Sequence, residues 1–124
     1  MYVPYGKQTI SKEDLKEVRN VLESDFLTQG PVVPLFESEL AKYTGAKYGL
    51  AANSATSALH VACLALGVSE GDIVWTSPIS FVASSNCALY CGAEIDFVDI
   101  SLDTYNIDIN LLESKLIKAE SMGK

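Results

Sequence analysis

Ala52-Asn53-Ser54-Ala55-Thr56-Ser57-Ala58-Leu59 joins two segments of different character. Lys47 to Ala52 reads as a short strand. Ala55 to Leu66 reads as a helix that is apolar nearly all round, with Gly67 at its end. A helix without a polar face is expected to be buried. The first N–H groups of any helix have no partner within it. Small side chains from Ser54 to Ala58 leave that backbone open to a ligand, and the hydroxyls of Ser54, Thr56 and Ser57 add donors. Two readings stand side by side. The stretch is either a phosphate cup at a helix N-terminus or a serine N-cap ahead of an alanine-rich helix.

Downstream, Ile73 to Thr76 reads as a strand, Ser80 to Cys91 as a helix closed by Gly92, and Ile95 to Ile100 as a strand. Asn106 or Asp108 is placed to cap a last helix with Ile109, Leu112 and Leu116 on one face. After residue 46 the order is therefore β-α-β-α-β-α, which predicts the α/β class with parallel strands and helices on the sheet faces. Upstream, residues 1–10 read as an extended arm. Ser11 to Asp14 resembles a capping box, and Leu15, Val18, Val21 and Leu22 predict a helix over 12–24. Phe26 to Pro31 is a turn-rich loop. Pro34 suits the first turn of a second helix with a stripe of Phe36, Leu40 and Tyr43, ended by Gly45.

Thr76 to Asn86 lies at the carboxyl end of a strand, where open α/β sheets bind their ligands. Phe81 falls in the first turn of its helix, on the rim of the Ser54–Ser57 cup, and is either a core side chain or a platform for a flat ring. Asp96, Asp99, Asp103 and Asp108 do not match a calcium loop and read as solvated strand-end and cap acids. Cys63, Cys87 and Cys91 lack a disulfide-framework spacing. With His60 as the only histidine, they read as reduced core thiols and not as a zinc site. No metal site is assigned. Dinucleotide, Walker A, nucleophile-elbow and C-x-x-C motifs are all missing.

A net charge of -7 and the lack of a Lys/Arg cluster argue against nucleic acid and anionic membranes as partners. No apolar run approaches the ~18 residues of a membrane span, and Met1 to Tyr5 carries no signal-peptide pattern. The expected location is cytoplasmic.

An ordered series of short motifs resembles the DegT/DnrJ/EryC1/StrS sugar aminotransferases. It comprises Leu27-Thr28-Gln29-Gly30-Pro31, Phe36-Glu37, Asn53 to Leu59, Leu66-Gly67, Gly71-Asp72, Pro78 to Ala83, Gly92-Ala93 and Phe97-Val98-Asp99. Each motif is weak singly; together they span essentially the whole chain. The resemblance implies the N-terminal part of the large domain of fold type I, with pyridoxal 5'-phosphate (PLP) as cofactor. Residues 1–33 would be arm, helix and substrate loop, and 34–124 an incomplete PLP-binding large domain. Ala55, Thr56 and Ser57 would hold the PLP phosphate and Phe81 would stack on its ring. Tyr5, Asp25, Phe26, Leu27 and Thr28 would line the sugar-nucleotide site. Asn53–Leu59 and Thr76–Asn86 look closest to the pseudaminic-acid members. Those move an amino group from L-glutamate to C4 of a UDP-linked 4-keto-6-deoxy sugar, and the family works as homodimers.

The same resemblance implies that no catalytic residue lies in these 124 residues. The Schiff-base lysine and the acid facing the pyridine nitrogen fall further downstream, and Lys115, Lys118 and Lys124 read as surface charges. Members with histidine for that lysine are dehydratases, so the family leaves two activities open. A small independent α/β module holding a phosphorylated ligand is the reading of another class. A thermal melt of the 124-residue polypeptide separates them. An independent module is monomeric and melts cooperatively, whereas part of a larger sheet, with open edges, is poorly soluble or molten.

Overall fold

The computed structural model describes residues 3, 4 and 6–123. They form two compact units, Met1–Ala51 and Ala52–Lys124.

The first unit is helical. In α1 (Lys12–Leu22) the Ser11 hydroxyl accepts from the Asp14 N–H at 3.1 Å, and the Asp14 carboxylate accepts from the Ser11 N–H at 2.8 Å. The Ser11 N–H first, then the Ser11 hydroxyl, holds the Asp14 carboxyl below its usual pKa. The helix stops two residues short of the expected 24, where the Glu23 and Ser24 N–H groups turn back onto Arg19 and Val21. Helix α2 (Val32–Thr44) places Pro34 in its first turn, where the missing N–H breaks nothing, and Gly45 at φ +72° ends it. Its stripe of Phe36, Leu40 and Tyr43 stays exposed, and Ala41 is the buried residue of the unit.

After Gly45 the chain doubles back onto α2. The expected strand over 47–52 does not form. A strand exists only when a neighbour completes its ladder, and among the described residues none does. Instead the Ala51 N–H donates to the Glu37 carboxylate at 2.8 Å. Gly49 passes so close to α2 that a Cβ there would stand 2.5 Å from the Glu37 carbonyl oxygen.

The second unit runs α3 (Ala55–Ala65), β1 (Ile73–Thr76), α4 (Ala83–Tyr90), β2 (Glu94–Phe97) and α5 (Ile109–Ser121). Strands β1 and β2 are parallel, paired from Ile73↔Glu94 to Thr76↔Phe97. Helix α4 is the crossover and packs on both strands and on α3. Ala83, Cys87, Ala88, Ala93 and Val98 are the buried residues, small side chains that let helix and strands approach closely. Helix α4 begins at Ala83 and not at Ser80. The hydroxyls of Ser77 and Ser80 bond locally, to the Ile79 N–H and to Ser84 Oγ, which competes with helical pairing. Strand β2 ends at Phe97, earlier than the expected Ile100. Ile100 pairs instead with Ile107 across a tight loop in which Tyr105 takes φ +58°.

The expected burial of α3 is not realised: none of its residues is buried. One face meets α4, where the His60 and Tyr90 rings pack edge-on at 5.3 Å. There, too, Cys63 has its thiol pKa raised, first by burial and then by the neighbouring thiols of Cys87 and Cys91. The three cysteines are unpaired. Leu59, Val61 and Leu64 remain exposed.

Lys115 is not a free surface charge. From α5 its Nζ reaches the Phe97 carbonyl oxygen at 2.7 Å and Asp96 Oδ2 at 2.5 Å, and it stands 5.2 Å from the centroid of the Trp75 ring. Asp96, read from sequence as a solvated acid, is therefore an ion-pair partner. The Lys115 bond first, then the Phe97 N–H, holds its carboxyl below the usual range. Asp108 rather than Asn106 caps α5, accepting from the Asn110 and Leu111 N–H groups at 2.8 and 3.1 Å.

Two outcomes follow from this packing. Gly49→Ala forces a backbone shift beside Glu37 and should destabilise by about 1–3 kcal/mol, read as a lower urea midpoint. A carboxyl with a depressed folded pKa contributes stability above its unfolded pKa and loses it as pH falls through the folded one. The Asp96 carboxyl should therefore titrate below a free aspartate by NMR. Lys115→Met should raise that midpoint part of the way, since the Phe97 N–H remains.

Candidate functional site

The start of α3 is built as a cup with its inner donors free. Ser54 is extended (φ -158°, ψ 156°), and its hydroxyl accepts from the Ser57 N–H at 3.1 Å. The same hydroxyl donates to Ser57 Oγ at 3.0 Å. The Ala58 N–H is taken by the Ser54 carbonyl at 3.0 Å. This leaves the N–H groups of Ala55 and Thr56 without a partner among the described residues, and the Thr56 hydroxyl likewise. Two adjacent free N–H groups on the first turn of an 11-residue helix, with the positive end of its dipole behind them, suit an anion. The Ser54 hydroxyl, expected as a ligand donor, is spent on the cap. Thr56 and Ser57 are half-buried and Ala55 is exposed, so a ligand reaches the cup from solvent.

Phe81 sits two residues ahead of α4, not within its first turn, and is 75% exposed. Within this unit the ring is open to solvent. The loop carrying it, residues 77–82, leaves the carboxyl end of β1.

In the first unit Phe26, Leu27 and Thr28 come together around a cavity of about 340 Å³, with Asn20, Val21 and Gln29 also on its wall. Ser24 shapes the turn: its hydroxyl accepts from the Phe26 N–H at 3.3 Å and donates to the Val21 carbonyl at 2.8 Å. Gln29 is held at φ +54°, a backbone setting that non-glycine residues adopt at a price of about 1–3 kcal/mol and that clusters at ligand sites. Gly30 follows it where a Cβ would stand 2.8 Å from Phe26 Cβ. Asp25 does not line the cavity. Tyr5 lies outside the described residues.

Residues that sequence reasoning passed over are Glu37 and Lys115. Glu37 acts on a backbone group fourteen residues away and Lys115 on one eighteen residues away. No periodicity or motif spacing carries such pairings. Among the described residues no three His, Cys, Asp or Glu side chains are placed to hold a metal ion. No helix there is long and apolar enough to cross a membrane.

The chain is 44% identical over 120 residues to UDP-4-amino-4,6-dideoxy-N-acetyl-beta-L-altrosamine transaminase of Campylobacter jejuni, covering 96% of this chain and 31% of that protein. It is 43% identical over 113 residues to the spore coat polysaccharide biosynthesis protein SpsC of Bacillus subtilis, covering 91% of this chain and 29% of that protein. The chain thus spans about 30% of the length of these relatives. A structure of the Streptococcus pneumoniae sugar aminotransferase Spr1654 in its PLP form superposes with a TM-score of 0.84 at 33% identity, over 90% of this chain and 29% of that one. The Escherichia coli GDP-4-keto-6-deoxy-D-mannose-3-dehydratase with bound hydrated PLP gives 0.83 at 28% identity, over 90% and 30%. The α/β arrangement is accordingly part of the fold type I architecture of PLP-dependent sugar aminotransferases. The family model for the DegT/DnrJ/EryC1/StrS aminotransferases matches residues 8–121, and the chain belongs to that family.

Proposed function

We propose that this chain is the N-terminal part of a PLP-dependent aminotransferase. The full-length protein moves an amino group from L-glutamate to C4 of a UDP-linked 4-keto-6-deoxy sugar, in pseudaminic-acid synthesis for a surface polysaccharide. Residues 1–33 contribute the arm and the substrate loop, and residues 34–124 the first part of the cofactor domain. The protein works as a homodimer in the cytoplasm. The observation that carries the cofactor reading is the pair of free N–H groups at Ala55 and Thr56. The identity to the Campylobacter transaminase supports the substrate.

Bound PLP supplies an electron sink for the carbon that carries the amino group. The chain's own residues bind and orient. Ala55 and Thr56 donate their N–H groups to the phosphate, and the Thr56 and Ser57 hydroxyls complete the set. The exposed Phe81 ring covers one face of the pyridine. Phe26, Leu27 and Thr28, on the wall of the first unit's cavity, contact the sugar nucleotide, and Tyr5 and Asp25 join them by the family resemblance alone. The described lysines, Lys115 and Lys118 among them, match no lysine of the family's catalytic motif, so residues 1–124 alone are expected to transaminate nothing. The likeness to the Escherichia coli dehydratase favours a second reading, a PLP-dependent sugar dehydratase. Product analysis decides between a 4-amino sugar and a deoxygenated one.

Thr56→Asp puts a negative charge where the phosphate binds and removes a donor. In the full-length protein it should weaken PLP binding about 100-fold or more, measured by titrating the apo-protein and following cofactor absorbance. PLP binding at wild-type strength would show that the cup holds no phosphate.

A further inference from the structure

Helix α5 sends one side chain onto both strands of the sheet. Lys115 Nζ donates to the Phe97 carbonyl oxygen at 2.7 Å, pairs with Asp96 and stands 5.2 Å from the centroid of the Trp75 ring. Trp75 and Asp96 are partners in the strand register, so their side chains stand beside each other on one face of the sheet. The Lys115 side chain is only 24% exposed. An ammonium withdrawn that far from water needs compensation, and a carboxylate, a carbonyl and an aromatic face supply it.

The carbonyl that Lys115 holds belongs to the peptide joining Phe97 to Val98. The N–H of that same peptide donates to the Thr76 carbonyl at 3.0 Å. A cation on a peptide oxygen polarises the peptide and strengthens the bond its N–H makes. Thr76 is the last residue of β1, and the loop carrying Phe81 starts at the next position. The far end of that loop is held by α4. There the Ser84 N–H donates to the Phe81 carbonyl at 2.9 Å, and the Ser85 and Asn86 N–H groups donate to the Val82 carbonyl at 3.1 and 3.0 Å. Between the two ends the Ser77 hydroxyl accepts from the Ile79 N–H at 3.3 Å. The loop therefore hangs from two anchors, Thr76 and Phe81, and Lys115 secures the first. We infer that Lys115 is a positioning residue for the Phe81 ring. It fixes the point at which the loop leaves the sheet and so sets where Phe81 stands; it acts through the loop and not on the cofactor. The inference rests on the reading in which Phe81 covers the PLP ring, and names a residue on which that ring's placement depends.

The test is PLP titration of the full-length apo-protein carrying Lys115→Met, Phe81→Ala or both, with the visible circular dichroism of the bound cofactor and the melting temperature of each apo-form. Phe81→Ala should weaken PLP binding about ten-fold, the worth of a stacked aromatic ring. Lys115→Met keeps the length of the side chain and loses the ammonium. It should weaken binding about five-fold and shrink the circular dichroism band. In the Phe81→Ala background the same change should cost less than about two-fold, because residues that act through one group are not additive. Lys118→Met, which removes the same charge from an exposed position on α5, should bind PLP as wild type does. A full loss from Lys115→Met in the Phe81→Ala background would overturn the inference, since Lys115 would then act somewhere other than Phe81. So would a Lys115→Met protein that melts lower yet binds PLP as wild type does, which makes Lys115 purely structural. An equal loss in Lys118→Met would reduce the effect to charge and overturn it too. Should Lys115→Met fail to fold, Lys115→Gln, one atom short of the Phe97 carbonyl, carries the same comparison. Phe81→Ala with wild-type affinity sinks the stacking reading and the inference with it. Affinity lost in Phe81→Ala but kept in Lys115→Met sinks only the role of Lys115.

Discussion

Parallel strands cannot pair until something carries the chain back to its starting end. In this protein α4 does so, and the second unit depends on how closely it can lie on β1 and β2. Ala83, Cys87 and Ala88 on the helix, with Ala93 and Val98 at the ends of β2, are buried between them. None is larger than valine. The pairing of Ile73 to Thr76 with Glu94 to Phe97 follows from that close approach. So does the exit of the 77–82 loop, with Phe81, from the carboxyl end of β1. A larger side chain at Ala88, which is 0% exposed, would push the helix off both strands at once.

The two candidate regions differ in kind. The cup at α3 is made almost wholly of backbone, with Ser54 holding the first turn open by satisfying Ser57 and leaving Ala55 and Thr56 free. Such a site is insensitive to side-chain rotamers and already aligned before a ligand arrives. The loop around Phe26 to Gln29 is made of side chains and a strained turn.

Much of this was legible in the sequence where local chemistry sets the outcome. The Ser11 capping box, Pro34 in the first turn of α2, Gly45 at its end, strand Ile73–Thr76 and the Asp108 cap each depend on neighbours a few residues away. The readings that failed needed distant partners. Residues 47–52 have strand-like composition, but a ladder is a property of two segments. Helix α3 has no polar face, but burial requires an element on each side, and among the described residues α4 is the one that packs closely on it. Lys115 looked like one more charge on an exposed helix until β2 brought Asp96 and the Phe97 carbonyl beneath it. Asp96, Asp99 and Asp108, read as strand-end and cap acids, each accept from a nearby N–H.

The register of the two strands has a kinetic side. Every pair joins residues 21 apart in the chain, from Ile73↔Glu94 to Thr76↔Phe97, and α4 lies within that interval. Loop-closure entropy must be met before a pairing of this span rewards it, and parallel sheets belong to the slow end of folding. Helix α4, whose bonds are all local, can therefore form before the β1-α4-β2 unit closes around it.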